Sequence, residues 1–181
     1  MEGRRRGAVL ILFEQPGERR LDPEAAGEHI DTLFRVARAM SGSSDLAEDL
    51  VQETYVEVLT RPRLIRREDD LGYLIKALRN TWYSYLRRER VRRESTAAGE
   101  RVAEELPAQS PADDPQSSLE TRAVLDALAQ LPEPYREAVA AVDIAGLSYG
   151  EAAKALGVRQ GTIMSRVYRG REQVAQAVGA G

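Results

Sequence analysis

The chain has no cysteine and one histidine among its 181 residues. Without thiols it can form no disulfide, no thiol redox centre and no Cys-based zinc site, and one imidazole makes no ligand set. His29 stands close to a helix start and reads as structural, so the sequence points to no metal, no cofactor and no catalytic residue. Long hydrophobic runs are also lacking. The most suggestive, GAVLILF at residues 7–13, follows three arginines as a secretory signal would. It is too short, no small-residue cleavage site follows, and Glu14 and Pro16 interrupt it. No stretch approaches the length needed to cross a bilayer. The expectation is a cytoplasmic protein without membrane insertion.

Charge is abundant and unevenly placed. The formal net charge is -3, but residues 22–60 carry -7 and residues 61–93 carry +7. Binding of a polyanion depends on local potential, so an acidic average does not argue against it. Residues 94–118 combine Pro107, Pro111 and Pro115 with serine, alanine and acids and show no apolar period, which predicts a flexible linker. The chain then divides into an N-terminal extension (1–21), a helical domain (22–93), the acidic linker (94–118) and a smaller helical domain (119–181). The expected fold class is all-α, two small helical domains joined by a flexible linker.

The most specific local pattern is SYGEAAKALGVRQGTIMSRVYRGR, residues 148–171. Ser148 and Glu151 form an S-x-x-E capping box, Ala152, Ala153 and Leu156 supply an apolar face, and Gly157 stands where a left-handed cap is wanted. A second helix follows, with Ile163, Val167 and Val174 on one side and Gly170 permitting close approach. Thr162, Ser165 and Arg169 fall opposite and Arg166 flanks them. The run from Arg159 through Gln160 to Arg171 contains no acid. Two short helices about a tight turn, the second basic on its free face, are the pattern of a helix-turn-helix that enters a DNA major groove.

In the first domain Ile30, Leu33, Phe34, Ala37 and Met40 follow helical spacing, and Asp45 with Glu48 is read as the cap of the next helix. There Ala47, Leu50, Val51, Tyr55 and Val58 share one face, while Glu48, Asp49, Gln52, Glu53 and Glu57 share the other, a face suited to a basic partner. After a charged connection at residues 61–70, capped at its end by Asp69 or Asp70, the next helix places Leu71, Leu74, Ile75, Leu78, Trp82, Tyr85 and Leu86 on one arc. Lys76, Arg79, Asn80, Tyr83, Arg87 and Arg90 lie opposite. Lys and Arg suit phosphates, Tyr83 offers a stacking surface for an unpaired base, and Asn80 can both donate and accept at a base edge.

DLAEDLVQET (45–54), YLIKALRNTWYSYLRR (73–88), LAQLPEPYREAV (128–139) and LSYGEAAKALGVRQGTIMSRVYRGR (147–171) resemble, in order, regions 2 and 4 of the extracytoplasmic-function (group IV) sigma factors of bacterial RNA polymerase. The resemblance covers about residues 25–175. It implies a promoter-specificity subunit with no catalysis of its own. Glu48, Asp49, Gln52 and Glu53 would bind the clamp helices of the largest subunit of core RNA polymerase, and the polymerase flap is a further expected contact. Lys76, Arg79, Asn80, Tyr83 and Arg87 would melt and capture the minus-ten strand. Arg159, Gln160, Thr162, Ser165, Arg166 and Arg169 would read the minus-thirty-five duplex. The linker would thread toward the active-site and RNA-exit path. A separate anti-sigma protein is an expected partner, and the free chain is expected to be monomeric. The sequence departs from the family pattern at Tyr73, Ser84 and Met164, where Trp, Asp and Lys are frequent.

Two other classes compete on the residues alone. An autonomous dimeric helix-turn-helix regulator would need a dimerisation surface and symmetric half-sites, which a linked pair of unlike domains does not suggest. A carboxylate-dependent hydrolase would need metal ligands on facing helices, and the Glu-x-x-His signature of such bundles is missing.

Overall fold

The structure is a computed structural model and describes residues 18–61, 64–66, 69–97 and 119–179. Most of the expected extension and linker lies outside the described residues. The described chain is helical except for a short antiparallel ribbon, β1 (Glu18–Arg20) paired with β2 (Leu64–Arg66), with Arg19 opposite Ile65. Ile65 and the adjoining Leu21 are 6% exposed. Residues 18–21, assigned above to the extension, therefore take part in the fold, and the charged connection contains a strand. A lone pair of apolar residues between arginines gives too short a period to be read as a strand.

Four helices build the first half: α1 (Pro23–Gly27), α2 (Ile30–Ser41), α3 (Ser44–Thr60) and α4 (Asp70–Ala97). Two of the starts, those of α1 and α3, have a side-chain cap. Asp22 accepts from the Glu24 amide ahead of Pro23, and the Ser43 hydroxyl accepts from the Leu46 amide. Ser43, not Asp45, is thus the cap of α3. Asp45 falls one residue inside the helix, where its charge still favours the positive end of the helix dipole. Between α2 and α3 the chain turns at Gly42, whose φ of 73° is the left-handed value that glycine adopts most cheaply. Helix α4 continues to Ala97, past the linker boundary expected at residue 94.

The second half comprises α5 (Leu119–Gln130), α6 (Glu133–Val139), a π-type turn (Ala140–Ile144), α7 (Tyr149–Leu156) and α8 (Gln160–Gly179). The expected capping box is present, with both Ser148 and Glu151 side chains bonded to the other's amide. The resulting hydrogen bonds lower the Glu151 pKa. Gly157 closes α7 at φ 67°, as expected. Gly170 is required by packing, since a Cβ there would lie 2.6 Å from Val139 Cγ2.

Most of the expected apolar arcs are buried. Leu33, Leu50, Leu74, Leu78, Ile163 and Val167 are each at most 1% exposed. Several others, such as Phe34, Leu71 and Leu86, are partly buried against the core, but Ile30 is 47% exposed, because as the first residue of α2 it precedes the stripe of Leu33, Val36, Ala37 and Met40 that faces inward. Helix α4 packs on α7, and α2 on α5, α6 and the π-type turn, so the buried residues of both halves join in one cluster. No described helix is long and apolar enough to cross a membrane.

Replacing Leu78, which is 0% exposed on the inward face of α4, by alanine is expected to lower unfolding free energy by about 2–5 kcal/mol through lost burial and a residual cavity. Urea denaturation monitored by the far-ultraviolet helix signal checks this, and a loss below about 1 kcal/mol would contradict the packing described.

Candidate polymerase and nucleic-acid surfaces

Helix α3 turns its acidic face outward. Glu48, Asp49, Gln52 and Glu53 are all exposed, as is Glu57. Glu53 is engaged by Arg88 of α4, whose Nη2 donates to both carboxylate oxygens at 2.8 and 3.1 Å. The hydrogen bond to Glu53, then its charge, raises the Arg88 pKa. Both side chains stay about half exposed, so this pair contributes little to stability and can be exchanged for an external cation. The surface also has an apolar part that helical spacing missed: Val56 is 63% exposed and Leu59 42% exposed. An excess of apolar residues over what the α3 core needs was the available signal.

Helix α3 is held to α4 by a polar contact inside the core. The Thr54 hydroxyl donates to the Leu50 carbonyl at 2.7 Å and lies 3.1 Å from the Thr81 hydroxyl. Both threonines are nearly fully buried, at 0% and 2% exposed. Tyr55 donates to the Ala26 carbonyl at 2.6 Å, tying α1 to the same helix. Trp82 is buried and stacks on Tyr85 at 5.7 Å, a core role as its arc predicts.

The basic arc of α4 divides into two sets. Lys76, Asn80, Arg87 and Arg90 are exposed, whereas Arg79 and Tyr83 are partly covered. Lys76 and Asn80 border a cavity of about 250 Å³ between α3 and α4 that Glu57, Arg61 and Tyr73 also line. Arg79 lies over the Tyr83 ring, 4.8 Å from its centroid, and its Nε donates to Glu137 Oε1 of α6 at 2.9 Å. Burial disfavours the Arg79 cation, but the charge of Glu137, the hydrogen bond to it and Tyr83 more than offset this and raise its pKa. Burial, followed by the hydrogen bond to Glu137 and the charges of Glu137 and Glu133, pushes the Tyr83 phenol up to about 12. Next to them Arg136 Nη1 donates to the Met40 carbonyl at 2.8 Å, its pKa lowered chiefly by burial. Helix α6 thus lays one arginine and two carboxylates across α2 and α4. The sequence motif that contains Glu137 gave no sign of this contact, which joins residues 58 positions apart.

In the helix-turn-helix, Arg159, Gln160, Ser165 and Arg169 are exposed, and Thr162 and Arg166 are half-buried. The Ser165 hydroxyl donates to the Thr162 carbonyl at 3.0 Å, and Arg169 Nη1 reaches the Tyr135 hydroxyl at 3.4 Å. Arg171 is anchored by Asp143, with Nε donating at 2.9 Å and Nη2 at 2.5 Å, and the hydrogen bond is the main cause of its raised pKa. Of the basic residues on this helix, Arg171 therefore braces α8 against the π-type turn. Two large apolar side chains, Met164 at 52% exposed and Tyr168 at 70%, occupy the free face among the polar residues. Assigning contacts only to polar side chains left both out.

Two family models match the chain: "Sigma-70 region 2" over residues 26–92 and "Sigma-70, region 4" over residues 121–174. The chain is 33% identical over 172 residues to the ECF RNA polymerase sigma factor SigE of Mycolicibacterium smegmatis, with 90% of this chain and 65% of that protein covered. It is 35% identical over 147 residues to the ECF RNA polymerase sigma factor EcfG of Rhodopseudomonas palustris, covering 80% of this chain and 78% of that one. Among solved structures it is similar to the sigma factor RpoE of Bartonella quintana, co-crystallised with the anti-sigma factor NepR. That likeness has a TM-score of 0.70 and 31% identity and covers 86% of this chain and 95% of the other.

Tyr83 provides a titratable reporter of the contact with α6. Its folded-state pKa lies above the ordinary value of about 10, so the contact's stabilisation is complete below that value and is lost as pH rises through about 12. A tyrosinate absorbance titration, with Tyr83→Phe subtracted to isolate the residue, should give an apparent pKa near 12. Glu137→Gln should move it down toward the ordinary value. An unshifted Tyr83 in the wild-type chain would contradict the contact.

Proposed function

The chain belongs to the ECF RNA polymerase sigma factors, and on that premise we propose that it directs promoter-specific initiation by binding core polymerase and gripping promoter DNA at two places. The observation that carries this reading is the conjunction, in one chain, of an outward acidic helix, a basic helix bearing an amide and a tyrosine, and a capped helix-turn-helix. The chain works in the cytoplasm and contributes positioning and charge, not bond-breaking chemistry.

The face of Glu48, Asp49, Gln52 and Glu53 binds the clamp helices of the largest subunit, with Val56 as an apolar anchor beside the carboxylates. On α4, Lys76 and Arg87 hold phosphates of the minus-ten strand, and Asn80 meets an extruded base beside the cavity it lines. Arg79 and Tyr83 join them as a cation and a stacking ring once α6 withdraws. In the second half, α8 enters the upstream major groove, with Arg159, Gln160, Thr162, Ser165, Arg166 and Arg169 positioned for phosphates and base edges. Because Thr162 and Arg166 are half-buried, Gln160, Ser165 and Arg169 reach deepest. An anti-sigma protein that holds α6 on α4 would keep the two grips from acting together.

Run-off transcription with purified core polymerase on a promoter library tests the whole reading, and no initiation from any template by the folded chain would sink it. Charge reversal at Asp49 together with Glu53 should weaken core affinity about tenfold or more, as the removal of close interfacial charge pairs does. Affinity within twofold of wild type would remove the docking assignment. Asn80→Ala should slow strand opening, followed by permanganate reactivity of the melted bases, while leaving core affinity unchanged.

A further inference from the structure

The free face of α8 is mixed in a way that hydrogen bonding to DNA does not account for. Met164 and Tyr168 lie one turn apart on the same helical row and are the most exposed large apolar residues of the region, at 52% and 70%. They border an open groove that Tyr149, Gly161, Ser165, Arg169, Arg171 and, at its far end, Glu172 also line. At Gly161 a Cβ would meet nothing within 4 Å, so the helix surface before Met164 is open to a close approach. Exposed Arg159 and Arg169 flank the row, and no acid lies between residues 159 and 171. An apolar pair framed by cations matches the edge of a duplex major groove, where phosphates border the 5-methyl groups of thymine.

We propose that Met164, supported by Tyr168, reads a thymine methyl in the upstream promoter element, so that this position is specified by an apolar contact in place of a hydrogen bond. The proposal rests on the assignment of α8 to duplex DNA and adds to it the chemical group recognised. A thioether on an unbranched chain has no hydrogen-bond donor for the guanine acceptors that a basic residue would seek, and its flexibility lets it close on a methyl group. It therefore favours a thymine and gains little from guanine at the same step. The polar residues around it set the register of the helix on the backbone.

The test uses the full chain bound to core polymerase and an upstream element selected from a randomised duplex. Each thymine of the selected element is replaced in turn by deoxyuridine, which removes the methyl and leaves pairing unchanged. In the wild-type complex one replacement should weaken binding about fourfold, the worth of one buried methyl-sized group. Met164→Ala should abolish the difference between thymine and uracil at that position alone, and Met164→Gln, of similar length but polar, should do the same. Circular dichroism verifies that both variants fold. Uracil without effect at every position, or an equal penalty in wild type and Met164→Ala, overturns the proposal, including the case in which Met164→Ala impairs only a protein partner. If selection yields no upstream element at all, the assignment of α8 to duplex DNA has failed, and this proposal falls with it.

Discussion

Glu137 is a carboxylate 4% exposed between two helical units, and that burial constrains much of what surrounds it. A buried carboxylate without partners is unstable by several kcal/mol, on the order of 3–5 when one member of a buried pair is removed. Arg79 supplies the counter-charge at 2.9 Å and Tyr83 a hydroxyl, and both belong to the other half of the chain. The halves are thereby held in one arrangement, with Arg136 bonded to the Met40 carbonyl as a second tie. The same two residues are a cation and an aromatic ring on the face proposed for single-stranded DNA. Glu137 and Glu133 stand near them in the place where an anionic ligand would be.

Under the proposed function the contact becomes an exchange of anions. When α6 leaves, Arg79 can trade a carboxylate for a phosphate, and Glu137 regains water. Neither charge needs to stay buried and unpaired, so separation is less costly than rupture of the pair in isolation. Lys76, Asn80 and Arg87 are exposed while α6 lies on α4. On the proposed function, a first encounter with a strand would not need the domains to have parted, whereas the full grip would. In the second half the brace between Arg171 and Asp143 keeps α8 fixed on its own domain, so the duplex reader would travel as a unit.

Much of this was legible because the determinants are local. A capping box, a left-handed glycine and the period of Leu74, Leu78 and Trp82 depend only on neighbours in sequence, and the helices with their buried faces follow from them. The acidic and basic surfaces were readable for the same reason, since charge on one arc of a helix needs no knowledge of the fold. What escaped depends on distant partners. The ribbon that recruits residues 18–20 requires residues 64–66. Thr54 and Thr81 have no apolar signature yet sit in the core because they face each other. Nothing local to the motif that contains Glu137 marks it for burial, because its partner Arg79 stands 58 positions away. Met164 and Tyr168 escaped for a different reason: the covered arc of α8 was readable, but only polar side chains on its free arc were given contacts.

The proposed function gives one chain two promoter grips clasped across Glu137, which polymerase would set apart. Because the chain has no cysteine, Glu28→Cys and Gln176→Cys introduce two unique thiols on exposed positions, one in each half. The distance between spin labels at these sites, measured by double electron-electron resonance, should be short and narrowly distributed in the free chain. It should lengthen to a distinct second value when core polymerase is bound. One unchanged distance in both states would contradict the account.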